Sequence, residues 1–170
     1  RRAESLDFGH GWSVDYQNLQ VRKNMVLGLQ WNVVTDPQQY SVCLRPVGKR
    51  KIDITLPTGE VARFTAANDP ECALANMPPL NIKFTPLPGT TAQLELINVG
   101  NVAAQGGMLY DLDNFGPWNP KDYKLTTEDN YVYVLTDGIG VVQVQDPSGN
   151  TLTYGQNGIV HSNGMSVAFN

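Results

Sequence analysis

No run of about 18 consecutive apolar residues occurs in the chain, so nothing in it has the length to cross a bilayer as a helix. Basic charge is also in short supply: 12 Lys and Arg stand against 16 Asp and Glu, for a net charge of −4. A protein that neutralises a nucleic-acid backbone needs a basic face, and the single basic run, Lys49-Arg50-Lys51, is too short to supply one. Histidine is limited to His10 and His161, far apart and without a second His or Cys at ligand spacing, so a metal site through them is not expected. His10, between Gly9 and Gly11, reads as a turn-shaping residue, and His161, ahead of Ser162-Asn163-Gly164, as a hydrogen-bond partner of a turn. Cys43 and Cys72 are too few to form a disulfide framework; burial as free thiols is the simpler expectation, with one disulfide as the alternative. No secretory leader is visible, and the chain opens on Arg1-Arg2 without an initiating Met, as an excised fragment would.

What is abundant is alternation with a period of two, the spacing that sends successive side chains to opposite faces of a strand. Ile52, Ile54 and Leu56 share one face while Lys51, Asp53 and Thr55 share the other. The same pattern holds for Leu19 and Val21, Ile82 and Phe84, Leu94 and Leu96, Leu152 and Tyr154, and for Met165, Val167 and Phe169. Turn dipeptides tolerant of positive φ separate these runs: Thr58-Gly59, Asp129-Asn130, Asp137-Gly138, Ser148-Gly149, Asn157-Gly158 and Asn163-Gly164. Pro57 and Pro147 precede two of them, where a fixed φ favours turn initiation. A turn residue is followed five positions on by a large apolar one in Gly59/Phe64, Asn130/Leu135, Gly149/Tyr154 and Gly164/Phe169. These observations predict an all-β chain, residues 1–170 as one domain or shell fragment, built as a mainly antiparallel sheet of consecutive hairpins with little or no helix. Residues 67–121 read as an irregular Pro- and Gly-rich loop region, and the one candidate helix is a turn or two over Pro70 to Asn76.

Several of these stretches together resemble the RHS-repeat, or YD-repeat, proteins of bacteria. They are Asp7-Phe8-Gly9-His10-Gly11-Trp12-Ser13-Val14, Leu56-Pro57-Thr58-Gly59 followed by Phe64, and Phe84-Thr85-Pro86-Leu87-Pro88-Gly89-Thr90. Leu125 to Tyr133 and Asp146-Pro147-Ser148-Gly149-Asn150-Thr151-Leu152-Thr153-Tyr154 complete the set. The resemblance implies a segment of a β-shell in a large secreted or surface protein, a scaffold whose partners are the rest of the same polypeptide, namely further repeats and an enclosed C-terminal domain such as a toxin. It implies an extracellular or cell-surface location and no enzymatic activity of this segment. Two departures matter. The full repeat, with Arg-Tyr before Tyr-Asp and a Gly-Arg turn, is incomplete here. Asp146-Pro147-Ser148-Gly149-Asn150 carries Asn150 where the shell-closing, self-cleaving element has Arg, so that role is not carried over, and an ordinary turn between repeats is the closer parallel.

No residue is assigned a catalytic, cofactor-binding or metal-binding role, and no cofactor is expected. Asp111-Leu112-Asp113-Asn114-Phe115-Gly116 has the carboxylate spacing and sixth-position Gly of a calcium loop, but Phe115 sits at a ligand position and Asp122, at the twelfth, is shorter than the usual Glu. Nothing resembles Gly-x-Ser-x-Gly or a phosphate-cradling loop. Two rival functions stand beside scaffolding. A carbohydrate-binding module would use an exposed row of rings drawn from Trp12, Trp31, Trp118 and the tyrosines. A hydrolase would use carboxylates converging in a cleft with shifted pKa values. Tyr131 and Tyr133 oppose Val132 and Val134, which reads as a strand covered on both sides.

Overall fold

The computed structural model describes residues 19–56, 58–154, 158–161 and 166–168. The expectations for Asp7 to Val14, His10, Trp12, Pro57, the Asn157 and Asn163-Gly164 turn residues, Met165 and Phe169 lie outside the described residues, and the side chain of His161 is not described.

The described chain is all-β, with no helix. Its strands are β1 (Gln20–Lys23), β2 (Trp31–Asp36), β3 (Ser41–Pro46), β4 (Arg50–Thr55), β5 (Val61–Asn68), β6 (Cys72–Leu74), β7 (Ile82–Pro86), β8 (Gln93–Leu96) and β9 (Val102–Gln105). They continue as β10 (Met108–Asp111), β11 (Gly116–Pro117), β12 (Asp122–Thr126), β13 (Val132–Thr136), β14 (Gly140–Gln145), β15 (Thr151–Tyr154), β16 (Gly158–His161) and β17 (Ser166–Ala168). All pairings are antiparallel. They form a four-stranded sheet β1-β4-β5-β7, a seven-stranded sheet β8-β12-β13-β14-β15-β16-β17, and two three-stranded sheets, β2-β3-β6 and β9-β10-β11 with β10 at its centre. None closes into a barrel.

Period-two alternation sets the register. In the seven-stranded sheet one cross-strand row runs Leu94, Leu125, Tyr133, Val144 and Leu152, all buried. In the four-stranded sheet the rows Val21–Ile54–Ala62 and Lys23–Ile52–Phe64 face the same interior. Both sheets contribute to a single apolar cluster, and Phe84 of β7 meets Tyr123 of β12 with ring centroids 6.2 Å apart. Phe64, Leu135 and Tyr154, each five residues after a turn residue, all belong to that cluster. A one-residue slip in any of these strands would turn its apolar set to solvent, which is why the register is strongly specified. The turns have the expected conformation, with φ of 89° at Gly59, 67° at Asn130, 88° at Gly138 and 93° at Gly149.

Two sequence expectations need correction. The Pro70–Asn76 stretch is not helical: Cys72–Leu74 is β6, paired with β3, because the ladder to Ser41–Cys43 satisfies backbone groups that a single isolated turn of helix would leave open. The cysteines are not free thiols. Cys43 and Cys72 face each other in that ladder and form a disulfide. Strands β6 to β11 fall within residues 67–121, joined by Pro- and Gly-bearing connections. Asn68, buried at the end of β5, ties one of these down: its Nδ2 donates to the carbonyls of Pro70 and Pro79 at 2.9 and 3.0 Å, and its Oδ1 accepts from the Asn81 N–H at 2.7 Å.

The phenol of Tyr123 is fully buried and donates to the Pro120 carbonyl at 3.2 Å. Burial, and then the charge of Asp137, push its pKa above the ordinary tyrosine value. The folded state therefore holds this proton more tightly than the unfolded chain, whose tyrosines release theirs near pH ~10. Stability is full below that pH and falls as pH rises above it. Thermal melts between about pH 9 and pH 11 should show this fall, and Tyr123→Phe should flatten it. An unchanged slope in the variant would refute the assignment to Tyr123.

Candidate functional site

Two hairpin turns and a connection between sheets converge on a groove. It has a volume of about 610 Å³ and lies between the β4–β5 turn (Thr58, Glu60), the β7–β8 connection (Thr90, Thr91) and the β12–β13 turn (Thr127, Glu128, Asp129). Its floor is Leu56, Ala62, Ala92, Tyr131 and Tyr133, and among the described residues no Lys or Arg lines it. Tyr131 and Tyr133 are two apart in sequence, so they share a face, and their rings lie 20° from parallel with centroids 6.5 Å apart. The turns hold themselves in shape. Thr127 Oγ1 accepts from the Tyr131 N–H at 3.0 Å and donates to Asp129 Oδ1, and Thr90 Oγ1 accepts from the Arg63 N–H at 3.0 Å. The volume suits a small ligand, and hydroxyls and carboxylates around an aromatic floor can hydrogen-bond to and stack on an uncharged polar molecule.

The rings expected to form an exposed row are mostly buried. Trp31 and Trp118 are 1% and 3% exposed, and their indole N–H groups donate to the carbonyls of Leu27 and Val99 at 2.7 and 3.1 Å. Tyr133 and Tyr154 are also buried. The strongly exposed aromatics among the described residues, Tyr40 and Phe115, belong to different turns. As the sequence predicts, Tyr131, Val132, Tyr133 and Val134 are all buried or half-buried.

The acids of the calcium-like loop are committed to protein donors. Asp111 Oδ1 accepts from the backbone N–H groups of Asp113 and Asn114 at 2.9 and 3.1 Å, and its Oδ2 from Asn114 Nδ2 at 2.8 Å. The Asn114 side chain is the main reason that the Asp111 carboxyl lies below the usual aspartate pKa. Asp113 accepts from Asn101 through both oxygens, at 3.1 and 3.0 Å. Asp122 accepts from Thr136 and Asn98 at 2.8 and 3.0 Å. Among the described residues no three His, Cys, Asp or Glu side chains are grouped to hold a metal ion. Asp146 repeats this Asx-turn chemistry: Oδ1 accepts from the N–H groups of Ser148 and Asn150 at 3.0 and 2.9 Å, closing the β14–β15 hairpin.

The most consequential polar residue was missed in sequence. Arg50 stands two residues before Ile52, on the same face, and is 1% exposed. Its Nη1 donates to the carbonyls of Val47 and Gly48 at 3.0 and 3.2 Å, its Nη2 to those of Leu29 and Gln30, and its guanidinium carbon lies 5.6 Å from the Trp31 ring centroid. Burial lowers its pKa from the ordinary arginine value. The available signal was parity: continuing the Ile52–Ile54 alternation backward places position 50 inside.

Compared with known proteins, the chain matches no family model, no curated protein and no solved structure.

Proposed function

We propose that the chain is a scaffolding segment of a larger extracellular β-shell, of the kind its RHS-like motifs suggest. The observation that carries this reading is the order of the seven-stranded sheet. From β12 to β17 each hairpin adds the next strand in sequence on the same side, and β17 pairs only with β16 among the described residues. A meander growing in one direction is a unit that further hairpins can extend, and an unpaired edge is a liability that such extension removes. The carboxylates of Asp111, Asp113 and Asp146 are spent on neighbouring protein donors, as suits a scaffold. The Cys43–Cys72 disulfide supports an oxidising, extracellular setting. Electron microscopy of the parent polypeptide tests the reading. The sheet is expected to continue past β17 into a hollow enclosure, and a sheet that stops at β17 against solvent would overturn it.

The groove between these three segments favours one second reading, a surface that binds uncharged glycans. On a glycan array, binding that is lost in Tyr131→Ala would support it, and no binding by the intact chain would remove it.

A further inference from the structure

We infer that the Cys43–Cys72 disulfide is a thiol–disulfide exchange site, reducible by a dithiol and polarised by the charged pair Arg45–Glu71. This inference does not depend on the shell reading. Cys43 is 5% exposed, whereas Cys72, on the short β6, is partly exposed. Of the two cysteines, Cys72 is therefore the one more open to an approaching thiolate. Arg45 lies two residues from Cys43 on the same face of β3, and its Nη2 stands 3.7 Å from Cys43 Sγ and 4.0 Å from Cys72 Sγ. Its Nε holds Glu71 Oε2 at 2.8 Å, and that carboxylate oxygen is 3.9 Å from Cys72 Sγ. The nearest charge to the Cys43 sulfur is thus a cation, which stabilises a thiolate there, while the Cys72 sulfur also faces an anion, which disfavours one.

These placements assign the sulfurs different parts. The lone pair of the incoming thiolate forms a bond to Cys72 Sγ, and the electron pair of the Cys43–Cys72 bond leaves on Cys43 Sγ as a thiolate beside Arg45. The second thiol of the reductant, deprotonated, then attacks its own sulfur in the mixed disulfide and expels Cys72 as a thiolate. The protein disulfide gains two electrons, the dithiol becomes a disulfide, and the two cysteine thiolates exchange protons with solvent.

The structural consequence is local. Without the covalent bond, β6 keeps a three-residue ladder to β3, flanking bonds from the Leu44 N–H to the Glu71 carbonyl and from the Ala75 N–H to the Tyr40 carbonyl at 2.8 and 2.7 Å, and the Arg45–Glu71 pair, whose side chains are 50% and 48% exposed and add little. Loosening β6 frees the Ser41–Cys43 edge of β3 to accept another strand.

The test uses the full chain and dithiothreitol, with thiols trapped by alkylation and counted by mass spectrometry over time. Arg45→Gln is expected to slow reduction roughly fivefold, as a unit charge about 4 Å away would, while Arg45→Lys keeps most of the rate and Glu71→Gln raises it. Hydrogen exchange at residues 71–75 should rise on reduction while β12 and β13 stay protected. Far-UV circular dichroism confirms that each variant is folded. Equal rates in the wild type, Arg45→Gln and Glu71→Gln would overturn the polarised exchange, and unchanged exchange at β6 after full reduction would overturn its release.

Discussion

A Gly28→Ala variant is expected to lose on the order of 3 kcal/mol of folding stability or more, the sum of a steric clash and weakened backbone hydrogen bonds. Gly28 is buried, and its N–H donates to the Trp118 carbonyl at 2.8 Å while its own carbonyl accepts from the Leu109 N–H at 2.8 Å. The Trp118 N–H in turn donates to the Leu109 carbonyl, also at 2.8 Å. Three backbone segments meet there, and a methyl group on Gly28 would stand 2.6 Å from the Leu109 oxygen and from the nitrogen and oxygen of Trp118. Those atoms are main chain and cannot swing aside as a side chain could. Relief requires the segments to separate, which pulls on the buried side chains of Leu27, Leu109 and Trp118. Urea denaturation checks this, with a lower midpoint and an unchanged slope expected. Gly48→Ala is the informative comparison. Gly48 has φ of 77° and open space around its Cβ position, so alanine there costs only the roughly 1–2 kcal/mol of a left-handed backbone. A Gly28→Ala variant as stable as Gly48→Ala would show that the close approach is absent.

The second large effect is expected at Arg50. In Arg50→Met the apolar stem is retained and the guanidinium lost, so the carbonyls of Leu29, Gln30, Val47 and Gly48 lose their shared donor. Gln30, Val47 and Gly48 are exposed residues whose carbonyls water can reach, and the Gln30 carbonyl keeps the Val47 N–H. The charge-assisted bonds lost are worth about 1.5–3 kcal/mol each before that recovery, so a net loss of about 2–3 kcal/mol is expected. The contact with Trp31 goes as well. Arg50→Lys should recover only part of the loss, because a single ammonium cannot span the four carbonyls as a planar fork does. Hydrogen exchange locates the damage: amides near residues 29–31 and 47–49 should open first, while those of β13 and β14 remain protected until global unfolding. A methionine variant within about 1 kcal/mol of the wild type would refute the clamp.

Arg50 and Gly28 mark where local pattern stops being informative. The basic run Lys49-Arg50-Lys51 looks like a solvated stretch, and nothing local announces that four carbonyls from two turns converge on its middle residue. Gly28 lies between Leu27 and Leu29 without a turn signature. Its necessity comes from Leu109 and Trp118, far along the chain. The groove was equally hidden, because its walls are three turns separated along the chain.

By itself, the sequence determined the all-β class, many of the strands and the hairpin turns, because each depends on neighbours a few residues apart. Alternation at Ile52 and Ile54 or at Leu152 and Tyr154 fixes a face, and Gly or Asn fixes a positive φ. The tertiary structure alone decided that the Cys72 segment pairs as β6 instead of coiling, that the cysteines bond, that four carbonyls converge on Arg50 and that Gly28 admits no side chain. Each of these depends on what a distant segment brings to within a few ångströms, and a chain read in order carries no record of that distance.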